Sequence, residues 1–216
     1  MNYQLIRSKR KTLSLQINGN AQLIVRAPNR LSIAKIEQFI DEKSAWIENK
    51  STSILAKTPK KPSYIDGEKF LYLGAEYPLS VKADYPKVLT FDGQAFSLNQ
   101  GNKEEFLAWY KNSFKKIALP RLEYYAKNHQ FSYNQVRLKT QKTLWGSCSS
   151  NNNINLNYLL IQAPMSVIDY VIVHELCHTT HKNHSKYFWQ LVSSILPNYK
   201  ASKSWLHESG YRLTNL

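Results

Sequence analysis

The residues best suited to chemistry are two histidines and a glutamate in the run His174-Glu175-Leu176-Cys177-His178. Residues four apart in an α-helix lie on the same face, so both imidazoles can bind one metal ion at ~2.0–2.1 Å. Glu175 lies one position round from His174, where it can take a proton from a metal-activated water without being a ligand. The spacing therefore predicts a zinc-dependent hydrolase that holds one ion per chain, with Glu175 as the catalytic general base.

Coincidence is the alternative explanation for this run. With six histidines in 216 residues, the pattern is expected by chance in roughly less than one chain in a hundred. The helix is also apolar, with Val171, Ile172 and Val173 before the run and Leu176 inside it. Buried imidazoles and a buried carboxylate are costly without a partner, and this context favours a metal site.

A catalytic zinc site usually has three protein ligands, and the third has three candidates in this sequence. His184 lies in a predicted turn just before the next helix, so the chain can fold back and deliver it to the metal. His181 is near the same helix face, but it is sterically awkward beside the two helical ligands. Glu208 is the other option, since some zincins take a glutamate from a later helix. The turn favours His184 and leaves His181 and Glu208 as alternatives.

Several residues that precede the His174–His178 run are candidates for contacts with substrate or with a developing oxyanion. His181, which follows the run, is a further candidate. Trp145 and Gly146 lie on a predicted strand, where the glycine allows close approach of either a substrate or the metal-binding helix. Arg137, Lys139 and Lys142 can supply positive charge to a developing oxyanion, although solvated strand charges explain most of them as well. The segment 154–160 can serve as an edge strand for an extended substrate, or it can be an ordinary core strand.

The strands and the helix of the N-terminal part are predicted from the spacing of apolar residues, which changes along the chain. Residues 12–26 alternate as a hairpin around Asn18-Gly19-Asn20, and Ser32 can cap a helix. The apolar positions of that helix are Ile33, Ile36, Ile40 and Ile47. Four short apolar runs between 70 and 98 predict an antiparallel meander that continues the first sheet.

The C-terminal half combines strands and helices. A helical period begins after Gly101 and is expected to break or kink at Pro120. Strands are predicted at Val136–Thr140, Leu144–Cys148 and Ile154–Leu160. Ser166 and Asp169 resemble a capping box at the start of the metal-binding helix, and Ser185 can cap the next helix, which ends at Ile195. Strands and helices without regular alternation predict an α+β fold.

The expected organisation is an N-terminal antiparallel β-rich domain with a helix, residues 1–100, and a zincin-like catalytic domain, residues 101–216. The polar segment Lys57-Thr58-Pro59-Lys60-Lys61-Pro62 is a competing boundary, interpreted instead as a loop within one sheet.

The charge and the cysteine content indicate which kinds of partner and which cellular compartment to expect. The net charge is +14, and residues 1–62 alone contain twelve Lys and Arg against four Asp and Glu. Such a surface attracts polyanions, including nucleic acid, or serves only for solubility. Cys148 and Cys177 are too few for a disulfide framework, and no apolar run approaches a membrane span or a signal peptide core. We therefore expect a cytoplasmic protein with no membrane partner and leave its oligomeric state open.

Several segments together resemble the YgjP-like metallopeptidases, cytoplasmic proteins related to the SprT-like and WLM-type zincins. They are Arg7-Ser8-Lys9-Arg10-Lys11-Thr12, Arg26-Ala27-Pro28, Trp46-Ile47, Trp145-Gly146-Ser147-Cys148, Ile154-Asn155-Leu156-Asn157, residues 169–178, Asn183-His184-Ser185 and Phe188-Trp189. The resemblance implies that His174, His178 and His184 bind zinc, that Glu175 is the base, and that a minimal zincin unit follows a β-rich N-terminal part.

Four functions are consistent with these observations. A metallopeptidase acting on peptides or proteins is the leading one. The basic surface also suits a metal-dependent phosphohydrolase, such as a pyrophosphatase acting on nucleotides, or a nucleic-acid-associated protease of the SprT-like kind. A purely structural metal site is disfavoured, because three histidines leave an open coordination position.

Overall fold

The computed structural model describes residues 2–18, 21–57, 61–141 and 144–214. The chain forms two compact units, Met1–Lys60 and Lys61–Leu216. The described residues contain six α-helices and three small sheets, so the predicted α+β fold is confirmed. None of the helices in these ranges is both long and apolar enough to cross a bilayer.

The first unit is a three-stranded sheet followed by two helices. Its strands are β1 (Tyr3–Ser8), β2 (Ser14–Ile17) and β3 (Leu23–Pro28), and its helices are α1 (Ile33–Glu42) and α2 (Ser44–Lys57). The expected hairpin is formed by β2 and β3, while β1 pairs with β3 in parallel on its other side. Gly19 and Asn20 of the predicted turn lie outside the described residues.

Apolar side chains of β3 and the helices form the core of this unit. Ile36, Ile40 and Ile47 are buried, but Ile33 is largely exposed, and Ile47 belongs to α2 rather than to the helix that Ser32 begins. The Ser32 hydroxyl accepts a hydrogen bond from the Lys35 amide, so the predicted N-cap is confirmed.

Arg7 has a structural role at the end of β1. Its guanidinium donates to the carbonyls of Pro28, Asn29 and Leu31 at 3.0, 3.0 and 2.8 Å. It therefore holds the connection between β3 and α1.

The second unit begins with a four-stranded sheet. Its strands are β4 (Lys69–Tyr72), β5 (Ala75–Val81), β6 (Thr90–Phe91) and β7 (Phe96–Leu98), in the order β4-β5-β7-β6. The expectation of a meander that continues the first sheet is wrong. The two sheets are separate. In a meander β6 would lie between β5 and β7, but here β6 pairs with the outer side of β7, so β5 and β7 are neighbours and run parallel.

The long helix α3 (Lys103–Asn128) packs against this sheet and passes through Pro120 without a break. Phe106, Tyr110 and Phe114 are fully buried in the same core as Phe70 and Phe96. This shared core explains why the division between compact units falls between Lys60 and Lys61 rather than at residue 100. Thr58, Pro59 and Lys60 of the competing linker lie outside the described residues.

The catalytic part contains a third sheet, β8 (Gln135–Lys139), β9 (Gly146–Cys148) and β10 (Asn153–Asn157), in the order β8-β10-β9. A 3-10 helix, Tyr158–Gln162, follows, and then α4 (Met165–Thr180), α5 (Lys186–Ile195) and α6 (Tyr199–Leu213). The strand expected at 154–160 ends at Asn157. It is central and paired on both sides, so it cannot be an edge platform for substrate, and β9 is the edge beside α4.

The start of α4 differs from prediction. No side chain caps it, and Pro164 precedes its first residue, Met165. Asp169, expected in a capping box, is instead buried and forms a two-pronged ion pair with Arg121 of α3. The Ser185 cap of α5 is confirmed, because its hydroxyl accepts from the Phe188 amide at 3.4 Å.

Candidate metal centre

Three imidazoles converge at the C-terminal end of α4. His174 and His178 lie on the helix, and His184 lies in the loop before α5. The Nε2 atom of His184 is 3.0 Å from that of His174 and 3.2 Å from that of His178. Two nitrogens bound to a tetrahedral zinc at ~2.0–2.1 Å lie roughly 3.3 Å apart, so this spacing fits a single zinc ion.

The alternative third ligands are not part of this group. Among the described residues, His174, His178 and His184 form the cluster of side chains that can hold a metal ion. Glu208 is exposed on α6 and accepts a hydrogen bond from the Ser204 hydroxyl at 2.8 Å.

His181 contributes its main chain rather than its imidazole. The Nδ1 atom of His178 lies 2.9 Å from the His181 carbonyl oxygen. Since a carbonyl only accepts, Nδ1 carries the proton, and the Nε2 lone pair is directed towards the other imidazoles. The ring of His178 also stacks on buried Phe188 of α5, with centroids 4.5 Å apart. These contacts fix both the tautomer and the orientation of a ligand.

His174 is the most buried of the three. Burial, with smaller contributions from His178, His184 and Lys203, lowers the pKa of His174 to about 3. The imidazole is therefore neutral at physiological pH. Neutral imidazoles with converging lone pairs are suited to a cation.

Glu175 is buried directly against Gly146 of β9. The carboxyl is in an apolar environment, and burial raises the pKa of Glu175 to about 8. A Cβ atom at position 146 would lie 2.5 Å from Glu175 Oε1 and 2.7 Å from its Cγ. A larger residue would overlap the carboxyl group in this position, so the close approach allowed by Gly146 is that of helix α4.

A cleft of about 220 Å³ opens beside these residues. It is lined by Leu144, Trp145, Gly146, Tyr170, Val171, His174, Glu175 and Leu206. Two of the predicted contact residues, Trp145 and Gly146, thus lie next to the candidate base. The cleft has mostly apolar walls, with a histidine and a glutamate among them.

Arg137 and Lys139 are not brought to this site. Both are exposed on β8, which is separated from β9 by the central strand β10. Arg137 is in register with Asn155, whose neighbour Leu156 points into the core shared with α4, so the arginine lies on the opposite face. Lys142 lies outside the described residues. Cys177 is buried, and burial raises the pKa of its thiol to about 12, which keeps it protonated.

Tyr170 and the helix α6 are parts of the site that the sequence motifs did not predict. Tyr170 precedes His174 by four residues and so continues its helical face. In α6, Tyr199, Leu206, Gly210 and Leu213 recur at helical spacing after Pro197, and this signal could have identified the helix.

An α+β fold with converging imidazoles and a buried glutamate at a cleft is the arrangement of a metal-dependent hydrolase. A family profile described as "YgjP-like, metallopeptidase domain" matches residues 11–209. The chain therefore belongs to the YgjP-like metallopeptidase family.

Comparison with solved structures finds the metallopeptidase zymogen abylysin of Pyrococcus abyssi, at 20% identity and a TM-score of 0.40. The match covers 44% of this chain and 96% of that one. No curated protein sequence matches the chain.

Proposed function

We propose that this protein is a zinc-dependent peptidase in which His174, His178 and His184 hold the metal and Glu175 is the general base. The observation that carries the proposal is the convergence of three Nε2 atoms, 3.0 and 3.2 Å apart, beside a buried glutamate. When bound, the ion supplies a Lewis acid that acidifies a water and polarises a substrate carbonyl.

Glu175 moves the proton in this scheme. Burial raises the pKa of Glu175 to about 8, and a cation held by the neutral imidazoles would favour the ionised form of its carboxyl. The carboxylate can then take a proton from the attacking water and deliver it to the leaving amine. Gly146 keeps the carboxylate in place, because any larger residue would overlap it.

The edge strand β9 is suited to positioning an extended peptide. Among the residues that the structure describes, β9 pairs only with β10, so its other edge offers main-chain groups next to α4. A peptide added to this edge would run beside Glu175, and β-augmentation of this kind uses main-chain hydrogen bonds that do not depend on sequence.

Substitution of Glu175 by glutamine tests the mechanism. We expect Glu175→Gln to bind zinc stoichiometrically, as measured by atomic emission, and to lose peptide hydrolysis by about 10²–10⁴-fold. The screen includes peptides, denatured proteins and nucleoside triphosphates. Cleavage of triphosphates and not of peptides would favour the phosphohydrolase that the +14 charge suggests. Undiminished peptide turnover in the variant would rule out Glu175 as base.

Three alanine variants test the ligand set. We expect His184→Ala to lose zinc, because it removes one of the three converging imidazoles. His181→Ala keeps the carbonyl that orients His178, and Glu208→Ala lies outside the cluster, so both should retain zinc. Loss of zinc from either control with retention in His184→Ala would overturn the assignment.

We also propose a reducing compartment such as the cytoplasm. Cys148 and Cys177 are both free thiols, the second fully buried beside the metal ligands. Reduced thiols are typical of cytosolic proteins.

A further inference from the structure

The cleft beside Glu175 has apolar walls on three elements. Leu144 and Trp145 form the side next to β9, Tyr170 and Val171 belong to α4, and Leu206 belongs to α6. Leu144 is 49% exposed, so this side of the cleft is open to solvent. A volume of about 220 Å³ corresponds to roughly seven water molecules at ~30 Å³ each. This is enough room for one large apolar side chain.

The wall contributed by α6 is held in place by specific contacts. A Cβ atom at Gly210 would lie 3.1–3.4 Å from the indole of Trp145, so the helix backbone packs closely on that ring. The Ser202 hydroxyl donates to the Ser166 carbonyl at 3.1 Å, and Gln162 Nε2 donates to the Leu213 carbonyl at 2.9 Å. The cleft is therefore formed by a fixed arrangement of helix and indole.

A cation lies one turn along α6 from Leu206. The Lys203 ammonium is 4.2 Å from the centre of the Trp189 ring, and that ring also stacks with His184 and with Tyr199, at centroid distances of 5.5 and 5.4 Å. The centres of the Trp189 and His174 rings are 5.8 Å apart. The Lys203 ammonium therefore lies no more than about 10 Å from the centre of the His174 ring.

Lys203 is exposed, and no carboxylate in the described part of the chain lies within ion-pair distance of it. Tyr170 connects the two features, because it lines the cleft and stacks on Tyr199 at 6.3 Å. An apolar cleft thus adjoins a cation at the metal centre. A ligand that satisfies both has an apolar side chain and a carboxylate a short distance away.

We propose that the cleft receives one large apolar side chain of a peptide and that Lys203 binds a carboxylate of the same peptide. This inference rests on the proposed peptidase function and specifies its substrate class. The carboxylate is the free C-terminus of that peptide, at or within two residues of the apolar one. Lys203 is a specificity residue that acts on substrate binding, not on the bond that breaks.

Binding to the full-length, zinc-loaded Glu175→Gln protein tests the proposal without turnover. Isothermal titration calorimetry is used with acetylated peptides that end in Leu, Leu-Ala or Leu-Ala-Ala, each as free acid and as carboxamide. Replacing leucine by alanine or aspartate should weaken binding about tenfold. At the best peptide length, the acid should bind about threefold to tenfold more tightly than the amide.

Substitutions on α6 separate the two parts of the site. Lys203→Gln should remove the preference for the acid, and Lys203→Arg should keep it. Leu206→Asp should remove the preference for leucine. Lys200→Gln changes an exposed lysine of the same helix and should alter neither preference. Melting temperatures of all variants confirm that the fold is kept.

The outcomes distinguish this inference from the proposed function. Equal binding of acid and amide, or a Lys203→Gln effect that is the same for both, would overturn the role of Lys203. Equal binding of leucine and aspartate peptides would overturn the apolar pocket, even if the wild type cleaves peptides. The expected preferences without any cleavage by the wild type would support the pocket and count against the peptidase mechanism. Binding of inorganic pyrophosphate that displaces no peptide and needs Lys203 would assign the lysine to phosphate instead.

Discussion

Two residues far apart in the sequence, Gly146 and Glu175, are in direct contact at the candidate active site. The carboxylate lies so close to the β9 backbone that a methyl group at position 146 would be only 2.5–2.8 Å from Glu175 atoms, closer than van der Waals contact allows. The imidazole of His178 is held in a similar way, because it donates a hydrogen bond to the main-chain carbonyl of His181 and does not use the His181 side chain. At the scale of residues, the positions of Glu175 and His178 depend on the backbone at Gly146 and on the carbonyl of His181, and a motif of side-chain types does not identify such contacts.

Substitution of Gly146 by alanine tests this dependence. We expect Gly146→Ala to displace the Glu175 carboxylate and to lower kcat about 10²-fold, since misplacement by ~1 Å has effects of this size. Zinc content should be unchanged, because the three proposed ligands belong to α4 and to the loop before α5 rather than to β9.

Gly93→Ala is the matched control for that measurement. Gly93 lies in the turn between β6 and β7, with open space around its Cβ position, although its positive φ makes alanine strained there. A loss of stability without a comparable loss of kcat is expected for the control. Normal kcat in Gly146→Ala would show that the carboxylate is not held by this contact.

At the scale of elements, α4 carries two of the three proposed metal ligands and is anchored to its neighbours. Asp169 immediately precedes Tyr170 on this helix and is paired with Arg121 of α3. Phe188 of α5 supports the imidazole of His178, and α6 closes the cleft. The position of the ligands therefore depends on packing among α3, α4, α5 and α6 rather than on the sequence of α4 alone.

The Arg121–Asp169 pair is a testable anchor. We expect Asp169→Asn to lower the free energy of unfolding by about 1–3 kcal/mol, because it leaves a cation without its buried partner. Urea denaturation of the zinc-free protein measures this change. The exposed pair Arg212–Glu76 provides the control, and Glu76→Gln should cost less than about 1 kcal/mol. Equal losses in the two variants would contradict the anchoring role.

At the scale of the whole molecule, positive charge is concentrated in the first unit. Residues 1–60 contain eleven of the 29 Lys and Arg against four Asp and Glu, although Arg7 donates hydrogen bonds to three carbonyls. Lys9 and Lys11 are exposed between β1 and β2. This distribution favours polyanion binding by the first unit, and we retain the proposal that nucleic acid is a partner.

Salt dependence tests that proposal. We expect the full chain to bind single-stranded RNA or DNA with log K falling linearly with log salt concentration, by about 0.7 for each phosphate contact. The double variant Lys9→Glu and Lys11→Glu should weaken binding and reduce the slope. Lys115→Glu with Lys116→Glu, on the exposed face of α3, is the control of equal charge. Absence of binding at low salt would exclude a nucleic-acid partner of this kind.

Metal binding should also stabilise the fold. Zinc that binds only the native state adds about 2.7 kcal/mol to the free energy of unfolding at a hundredfold excess over Kd. We expect a rise in Tm on addition of zinc to the wild type and its reversal by chelation. His184→Ala should show neither effect, whereas a full zinc-dependent rise in that variant would argue against the three-histidine site.

Much of the organisation could be predicted from local patterns. The α+β fold, the hairpin, the Ser32 and Ser185 caps and most strand positions follow from periods of two or 3.6 residues and from capping chemistry, which act over a few residues. The predictions were wrong where contacts between residues distant in the sequence determine the structure. Asp169 pairs with α3 instead of capping its own helix, and β5 pairs with β7 in parallel.

The sequence by itself determined the His-Glu-x-x-His helix, because the rise and turn of an α-helix place residues four apart on one face. It also favoured His184 over His181 and Glu208, through the turn before Ser185. Only the tertiary structure decided that these three imidazoles converge, that Gly146 accommodates Glu175, and that α6 forms a wall of the cleft. Such contacts join segments distant along the chain, and their geometry depends on how whole elements pack, which local spacing does not specify.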